Sequence, residues 1–582
     1  MRKLTTFLLL FFSVNVFLFA NEFKKNCVLT GVVHNFKAPQ ITINKQSIDL
    51  NSKGQFYYRL SLEKPAYFKI NYGKHVPFYL HPGDSIHLEI DANKELNSIK
   101  VIGDRNDINQ YLIQDAYETE KLTSYLKKNY RHLFRLIEKK YIEKIDGFKR
   151  PFEDRLEKFI DESQITDDYF IKTQRAIIQY SYADNLFNYP NWHRRFSDET
   201  NYQPSECFYD FLDKVDLNDS ELLDILEYSN FLDSYLRIKS EQELKESRQY
   251  ENLNYKPFRA KMQVTLNTFT NPTVRSEMLY SFMKQFTKEY YHKGIEDLIE
   301  LFKQNCVNQV YLREIEEMIE NDKSVREKCK IQVYKQVGEI ALNAFVYFPG
   351  DLKQGEKRSA LAFFHGGGWE CGKPEWGHEQ CSHFSSLGMV CISFEYRLKT
   401  QHDVTPLESM ADAKSAIRWM RQHAQELAID PQQIVASGFS AGGHLATCTV
   451  MIDKFDEPDE DQSISSAANA LMLWVTPVKI LADGWFRQIL KERAEVSKCD
   501  PDQHIRPGLP PMIIFQGTED DQVPFWSVKE FARKVKALGN RCELNIYDGQ
   551  THLGWGENEK DVFQKMDQFL ESLGYLDFKE EK

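Results

Sequence analysis

The hydrophobic pattern divides most of the chain into three successive regions. Between residues 27 and 92, apolar positions alternate with polar ones and are interrupted by glycine, proline and asparagine. This period of two, in short segments such as GQFYYRLSL and PAYFKINYG, predicts a small antiparallel β domain. From about residue 106 to residue 328, apolar residues recur at intervals of three and four, as in SELLDILEYSNFLDSYLRI. That spacing predicts a helical domain.

The third region alternates apolar strands with amphipathic helices. Runs such as SALAFFH, MVCISFEY and PMIIFQG are separated by helical patterns such as ESMADAKSAIRWMRQHAQEL. This alternation is typical of a mostly parallel sheet with helices on both faces, which carries its chemistry at the carboxyl ends of the strands. We therefore predict a leader at residues 1–20, a β domain over 21–105, a helical domain over 106–328 and an α/β domain over 329–582.

The first twenty residues, MRKLTTFLLLFFSVNVFLFA, have the pattern of an export signal. A short basic start precedes an apolar stretch, and Ala20 could stand before a cleavage site. The alternative is a retained membrane anchor. However, Ser13 and Asn15 interrupt an apolar run that is shorter than the roughly 20 residues needed to span a bilayer. We predict an exported bacterial protein, periplasmic or secreted, without a stable membrane span after signal cleavage.

Composition and charge narrow the classes of partner. The chain has 582 residues, of which 42% are hydrophobic, and its formal net charge is −12. No basic stripe is visible, which argues against nucleic acid as a partner. The ten cysteines are irregularly spaced without a CxxC, so they indicate neither a zinc site nor a disulfide framework, although Cys371 and Cys381 flank one loop. We expect neither a metal nor a cofactor.

Ser440 lies in the sequence GFSAG, which follows the apolar run IVAS and precedes a predicted helix. This is the G-x-S-x-G pattern, in which small neighbours allow a nucleophilic serine to occupy a strained strand-to-helix turn. The helix that follows would favour negative charge at its amino terminus. Since a five-residue match is frequent by chance, the assignment depends on the other groups that the chain supplies.

A glycine-rich loop, HGGGW at residues 365–369, follows the apolar strand SALAFF. Consecutive glycines let backbone N–H groups approach a ligand, and in acyl transfer such donors stabilise the oxyanion of the tetrahedral intermediate. Together with the amide of Ala441, which follows the serine, the loop is a candidate oxyanion hole. The alternative is a flexible glycine turn. We expect His365 and Trp369 to shape this loop.

Two more loops, each after a predicted strand, supply an acid and a base. PMIIFQGTEDDQVP contains Asp520 and its neighbour Asp521, and His552 lies in CELNIYDGQTHLGWG. A neutral imidazole can take a proton from Ser440 and return it to a leaving alcohol. The carboxylate would fix the tautomer of that imidazole. With the order serine, aspartate, histidine along the chain, the sequence predicts a serine hydrolase.

Residues 335–577 resemble the α/β-hydrolase superfamily, in particular bacterial relatives of acetyl esterases, hormone-sensitive-lipase-like enzymes and acetylxylan or feruloyl esterases. The motifs that carry this resemblance are HGGGW, EYRL, DAKSAIRW, GFSAGGHLA and GTEDDQVP. Relatives commonly have a glycine before the histidine, where this chain has Gln550 and Thr551. The resemblance favours Asp520 over Asp521, and it implies a triad of Ser440, Asp520 and His552 with oxyanion-hole amides from Gly366, Gly367 and Ala441.

The amino-terminal region resembles, through GQFYYRLSL and YLHPGDSI, small β domains found at the start of exported Bacteroidetes proteins. That second resemblance implies no catalytic role.

These features predict an exported serine carboxylesterase that hydrolyses short-acyl esters of acetyl or feruloyl type, on small esters or acylated polysaccharides. One alternative is a peptidase of the prolyl-oligopeptidase type, which shares the triad but usually carries a propeller whose strand repeats this sequence lacks. Another is a binding protein with a vestigial hydrolase domain. In a third alternative, the β and helical domains anchor a protein or glycan partner and the esterase is secondary.

Overall fold

The structure is a computed structural model that forms two compact units, Met1–Tyr235 and Leu236–Lys582. The predicted export signal lies outside the described residues, and the predicted domain boundaries at residues 105 and 328 stay predictions. Within the described part of the chain, no helix is both long and apolar enough to cross a membrane. The described residues are 24–576 apart from 45, 198, 200, 252, 291–293, 483 and 492–493.

The amino-terminal unit begins with β-strands. They are β1 (Lys25–His34), β2 (Gln40–Ile43), β3 (Gln46–Asp49), β4 (Gln55–Leu62), β5 (Ala66–Asn71), β6 (His75–Leu80), β7 (Ser85–Asp91) and β8 (Lys100–Gly103). These strands form one sheet in the order β4-β1-β7-β8 and a second in the order β3-β2-β5-β6. The predicted antiparallel β fold is confirmed, with the difference that β1 and β7 pair in parallel.

Helices follow these strands, as the spacing of apolar residues predicts. They are α1 (Asn106–Arg135), α2 (Glu138–Ser163), α3 (Asp168–Phe196) and α4 (Leu226–Glu246). Asn109 of α1 joins the helices to β6, the edge strand of the second sheet: its side-chain amide donates to the carbonyl of Tyr79, and its oxygen accepts from the Tyr79 amide. The side chain thereby satisfies edge groups that another chain could otherwise pair with.

More helices and a large sheet make up the second unit. Its helices before the sheet are α5 (Lys256–Thr268), α6 (Pro272–Glu289), α7 (Glu296–Asn305) and α8 (Gln309–Glu327). Its strands are β9 (Lys330–Val337), β10 (Ile340–Tyr347), β11 (Arg358–Phe364), β12 (Val390–Phe394), β13 (Ile429–Phe439), β14 (Ala470–Trp474), β15 (Met512–Gly517) and β16 (Cys542–Tyr547).

The order of the large sheet is β16-β15-β14-β13-β11-β12-β10-β9, and β11 to β16 run parallel to one another. β9 and β10 form an antiparallel hairpin at its edge. Apolar cores cover both faces, as expected for strands that are buried on both sides. The predicted α/β-hydrolase fold is confirmed.

Helices connect or flank the strands of this sheet. They are α9 (His378–Ser386), α10 (Lys399–His402), α11 (Pro406–Gln422), α12 (Ala441–Met451), α13 (Gly484–Leu490), α14 (Phe525–Ala537) and α15 (Gly556–Ser572). Helix α11 begins with a capping box in which Thr405 and Glu408 satisfy each other's backbone amides. The carboxyl ends of β11, β13, β15 and β16 carry the predicted site residues, so the topology brings their loops to one edge of the sheet.

A buried ionic cluster explains two of the motifs that carried the family resemblance. Arg397 of EYRL donates to both oxygens of Asp412, the first residue of DAKSAIRW, through its side chain and through its backbone amide. Lys335 reaches the same carboxylate at 2.7 Å, and Glu457 contacts both cations. Because charges are buried only when they are paired, this cluster fixes the segment after β12 to helix α11.

The cysteines are present as free thiols. Cys371 and Cys381, which the sequence places on either side of one loop, are among them.

Candidate active site

Ser440 occupies a sharp turn between β13 and α12. Its backbone angles, φ 53° and ψ −121°, lie in a region that residues other than glycine rarely adopt. The turn is compact, because a Cβ added to Gly442 would lie 1.9 Å from the carbonyl oxygen of Phe364. One added to Gly438 would lie 2.3 Å from the carbonyl carbon of Gly442. Both glycines of GFSAG are therefore required by close backbone packing, and the serine projects from a strained turn.

His552 lies between Ser440 and Asp520. Its Nε2 is 3.0 Å from the Ser440 hydroxyl, and its Nδ1 is 2.9 and 3.0 Å from the two oxygens of Asp520. The imidazole is only 3% exposed. Asp521, the neighbouring alternative, is exposed to solvent. The structure thus brings together the serine, the histidine and the first of the two aspartates.

The surroundings of Asp520 favour its charged form. Burial of the carboxyl raises its pKa, but hydrogen bonds from His552 and from the amides of Val523 and Gln522 outweigh burial and lower the pKa overall. The side-chain amide of Gln516 also donates to it at 2.9 Å. Since a carboxylate only accepts hydrogen bonds, Nδ1 of the neutral histidine carries the proton and Nε2 accepts from the serine.

The loop that carries His552 is held by its neighbours. The indole of Trp555 donates to the carbonyl of His552 at 3.1 Å. The side-chain amide of Gln550 donates to the carbonyls of Thr551 and Leu553. Gln550 thus braces the histidine loop from within.

The HGGGW loop is turned by a buried histidine and a buried tyrosine. The Tyr396 hydroxyl donates to the carbonyl of His365 at 2.8 Å and lies 3.3 Å from that of Gly366. Nδ1 of His365 donates to the Gly366 carbonyl at 2.7 Å, and burial lowers the pKa of this histidine to about 4, which keeps it neutral. In a trans peptide, the C=O and the N–H point in opposite directions. The N–H groups of Gly366 and Gly367 share their peptides with the carbonyls of His365 and Gly366, which face Tyr396, so these N–H groups point away from Tyr396.

This loop lies directly against the serine turn. A Cβ added to Gly366 would lie 3.5 Å from the Cβ of Ser440. Gly367 has a positive φ of 109°, and a Cβ there would lie 2.1 Å from the carbonyl oxygen of Cys371. Ala441 begins helix α12 immediately after the serine. The HGGGW loop at Gly366 and the amino terminus of helix α12 therefore both adjoin Ser440.

Aromatic residues from α13 reach the same loop. Trp485 is partly exposed, and its indole N–H points to the carbonyl of Gly368 at 3.4 Å. Phe486 packs edge-on against Trp369 at 4.9 Å between ring centroids. The sequence alone predicts no role for Tyr396, and for Trp485 it predicts only that the segment 479–511 caps the site. Tyr396 could have been found, because EYRL follows β12 at the sheet edge that carries the site, whereas Trp485 lies in a segment without a recognisable pattern.

The remaining histidines of this region have other neighbours. His444 is buried with its Nε2 3.0 Å from the carbonyl of Cys499, and burial lowers its pKa to about 4. His383 pairs with Asp567, and Nδ1 of His378 lies 3.3 Å from the Tyr347 hydroxyl. Among the described residues, no group of three or more histidine, cysteine or carboxylate side chains is arranged to hold a metal ion.

Comparisons with known proteins place this geometry in context. The family described as BD-FAE matches residues 346–535. A probable isoprenylcysteine alpha-carbonyl methylesterase of Arabidopsis thaliana is 26% identical over 34% of this chain and 45% of its own length. A probable carboxylic ester hydrolase of Mycobacterium tuberculosis is 26% identical over 30% of this chain and 44% of its own. The chain spans about half the length of the curated relatives that it matches.

A solved relative is matched over nearly its whole length. The apo form of esterase 2 from Thermogutta terrifontis is 45% identical, with 43% of this chain and 97% of that chain covered, at a TM-score of 0.42. The same esterase has been solved with propionate and with butyrate bound.

Proposed function

Since the carboxyl-terminal part of the chain belongs to the α/β-hydrolase superfamily of serine esterases, we propose that this protein is an exported serine carboxylesterase that hydrolyses short-acyl esters. The observation that carries the proposal is the continuous hydrogen-bonded series from Ser440 through His552 to Asp520, at 3.0 Å and 2.9 Å. A nucleophile, a base and a group that orients the base are the minimum for acyl transfer through a covalent intermediate.

The first half of the reaction forms an acyl-enzyme. Nε2 of His552 takes the Ser440 proton as Oγ attacks the carbonyl carbon of the ester. The negative charge that develops on the carbonyl oxygen is stabilised by the amides of Gly366, Gly367 and Ala441. When the tetrahedral intermediate collapses, the C–O bond to the alcohol breaks and the imidazolium gives its proton to the departing oxygen.

The second half releases the acid. Water attacks the acyl-Ser440 carbonyl while His552 accepts one of its protons, and the same amides stabilise the second oxyanion. Collapse returns the proton to Oγ and frees the carboxylic acid. Asp520 stays ionised throughout and stabilises the imidazolium, in keeping with its lowered pKa.

The acyl group in this proposal is short. Support comes from the sequence relationship to esterase 2, which binds propionate and butyrate, and from the aromatic side chains of Trp485 and Phe486 beside the HGGGW loop. The resemblance to acetylxylan and feruloyl esterases extends the proposal to acetyl or feruloyl groups on polysaccharides. Export to the periplasm or beyond is part of the same proposal and rests on the sequence of residues 1–20.

The test uses the full mature chain with p-nitrophenyl acetate, butyrate and octanoate, beside Ser440→Ala. We expect turnover that falls with acyl length and is reduced about 10⁴-fold or more in the variant. A folded wild type that turns over none of the three esters would reject the proposal, and a peptidase or a binding protein would then be examined. Turnover that rises with chain length would reject only the short-acyl part.

A further inference from the structure

A buried ion pair ties helix α8 to the loop that follows HGGGW. The ammonium group of Lys373 lies 2.8 and 2.6 Å from the two oxygens of Asp322, and it also donates to the carbonyl of Thr287 in α6 at 2.8 Å. Lys373 and Asp322 are each only 6% exposed. A lysine with two carboxylate contacts and one carbonyl contact has all three of its protons engaged.

The residue before this lysine, Gly372, lies against the HGGGW loop. The amide of Gly372 donates to the carbonyl of Glu289, the last residue of α6. A Cβ on Gly372 would lie 2.2 Å from Nδ1 of His365 and 2.7 Å from the carbonyl oxygen of Gly366. Those are the two groups whose hydrogen bond turns the HGGGW loop. The position of Gly372 therefore sets how closely the loop can approach α6.

A second pair connects the same helix to the same loop. Arg326 of α8 pairs with Glu375 and also lies within 3.7 Å of Glu395, which precedes Tyr396. The indole of Trp376 donates to the carbonyl of Lys288 at 3.2 Å. Helices α6 and α8 thus contact several consecutive residues of the loop. Because separating a buried ion pair is costly, these pairs hold the loop firmly against the helices.

Resting on the proposed esterase function, we propose that Asp322 and Lys373 are positioning residues for the oxyanion hole. The pair fixes Gly372, Gly372 fixes the approach of His365 and of the Gly366 carbonyl, and these orient the amides of Gly366 and Gly367. Helices α6 and α8 act in this way as part of the active site without touching substrate. Loss of the pair shifts the amides and weakens the stabilisation of the transition state more than the binding of the substrate.

The experiment compares wild type with Asp322→Asn and with the double variant Asp322→Leu/Lys373→Met, all in the full chain. The double variant leaves no unpaired buried charge, so it keeps the fold when the single variant is destabilised. With p-nitrophenyl acetate well below the unfolding temperature, we expect kcat to fall about tenfold to a hundredfold while KM changes less than about twofold. Affinity for a short trifluoromethyl ketone, which forms a tetrahedral adduct with the serine, should fall by the same factor as kcat/KM.

Glu316→Gln is the matched control. Glu316 lies on the same helix, and its pair with Lys303 at 2.8 Å is about half exposed, so the variant removes a charge without touching the loop. We expect unchanged kcat and ketone affinity.

A folded Asp322 variant that keeps the full kcat would overturn the positioning role, even if its unfolding temperature is lower. Collapse of both variants would also overturn it, because the pair would then serve folding alone. An inactive wild type would instead reject the proposed function and the oxyanion argument together.

Discussion

The two sides of the candidate site are held in different ways. On one side, Ser440 is fixed by the backbone: a strand, a tight turn and a helix, with glycines at the points of closest approach. On the other side, the HGGGW loop is held by side chains, directly by Tyr396 and, in our proposal, through Gly372 by the pair of Lys373 and Asp322. A turn dictated by backbone sterics tolerates few sequences. A loop held by side chains depends on partners that can be removed singly.

This difference predicts how each side fails. Substitution within the serine turn disturbs the fold itself, since an added Cβ at Gly442 would overlap a backbone carbonyl of the neighbouring strand. Substitution of a residue that holds the loop leaves the sheet intact and changes only the direction of its amides. The nucleophile side should therefore show all-or-none effects, and the oxyanion side graded effects.

The largest expected effect is on the nucleophile side, where Asp520→Asn should lower kcat about 10⁴-fold with little change in the unfolding temperature. The neutral amide can donate to Nδ1 of His552, which favours the wrong tautomer and removes the acceptor that Ser440 needs. The comparison is Asp521→Asn, whose side chain is exposed and which should keep wild-type kcat. Equal losses in the two variants, measured with p-nitrophenyl acetate, would contradict the assignment of Asp520.

The next effect is on stability. Asp412→Asn leaves the buried cations Lys335 and Arg397 with a weaker partner, and we expect the free energy of unfolding to fall by about 3–5 kcal/mol. Because Asp412 also accepts from the amide of Arg397, next to Tyr396, some loss of kcat should accompany the destabilisation. Urea titration of Asp412→Asn beside Glu316→Gln would measure the change in the free energy of unfolding. A change below about 1 kcal/mol would show that the cluster is not needed for stability.

A smaller effect is expected for Tyr396→Phe, which removes one hydroxyl from the oxyanion side. The ring keeps its stacking on His365, at 4.3 Å between centroids, while the carbonyl of His365 loses its donor. We expect kcat to fall about tenfold at constant KM. This loss is smaller than that for removal of an oxyanion donor, because the amide is misdirected but still present. Tyr180→Phe is the control, because that buried hydroxyl also donates to a backbone carbonyl, of Asp216, within the amino-terminal unit. Unchanged kcat in Tyr396→Phe would remove this hydroxyl from the argument.

The same difference explains what could be predicted from the sequence. The serine turn, the glycine loop and the two strand-end loops are contiguous motifs whose chemistry follows from local spacing, and the α/β fold follows from apolar periodicity. The contact between Lys373 and Asp322 joins residues 51 positions apart, on a loop and on a helix that looks like any other amphipathic helix. Nothing local marks either residue, since buried charges are indistinguishable from surface charges until their partner is known.

The amino-terminal region shows the same limit. Alternation predicted its strands, but β1 and β7 pair in parallel because the intervening hairpins fold into a second sheet, and that choice is made by long-range packing.

The catalytic aspartate is harder to identify from the sequence than the serine for a similar reason. Asp520 and Asp521 are adjacent in the sequence, and the carboxylate that turns inward is distinguished by its partners in the fold, Gln516, His552 and the amides of Gln522 and Val523.

The last expected effect concerns pH, and it vanishes near neutral pH. Burial lowers the pKa of His365 to about 4, so in the unfolded chain this histidine takes up its proton first as the pH falls from about 6.5. The unfolded state then binds more protons than the folded state. The contribution of the neutral, buried His365 to the free energy of unfolding is therefore complete above about pH 6.5. It declines as the pH falls to about 4, by at most about 1.4 kcal/mol per pH unit.

His365→Asn isolates that contribution. The amide nitrogen of asparagine can replace Nδ1 as donor to the Gly366 carbonyl, but it does not titrate. The free energy of unfolding, measured between pH 4.5 and 6.5, should therefore depend on pH less steeply in the variant, while kcat at pH 8 changes only modestly. Equal slopes would mean that His365 is already accessible to protons in the folded state. In that case the oxyanion side would be held more loosely than its hydrogen bonds imply, and the contrast with the serine turn would be sharper still.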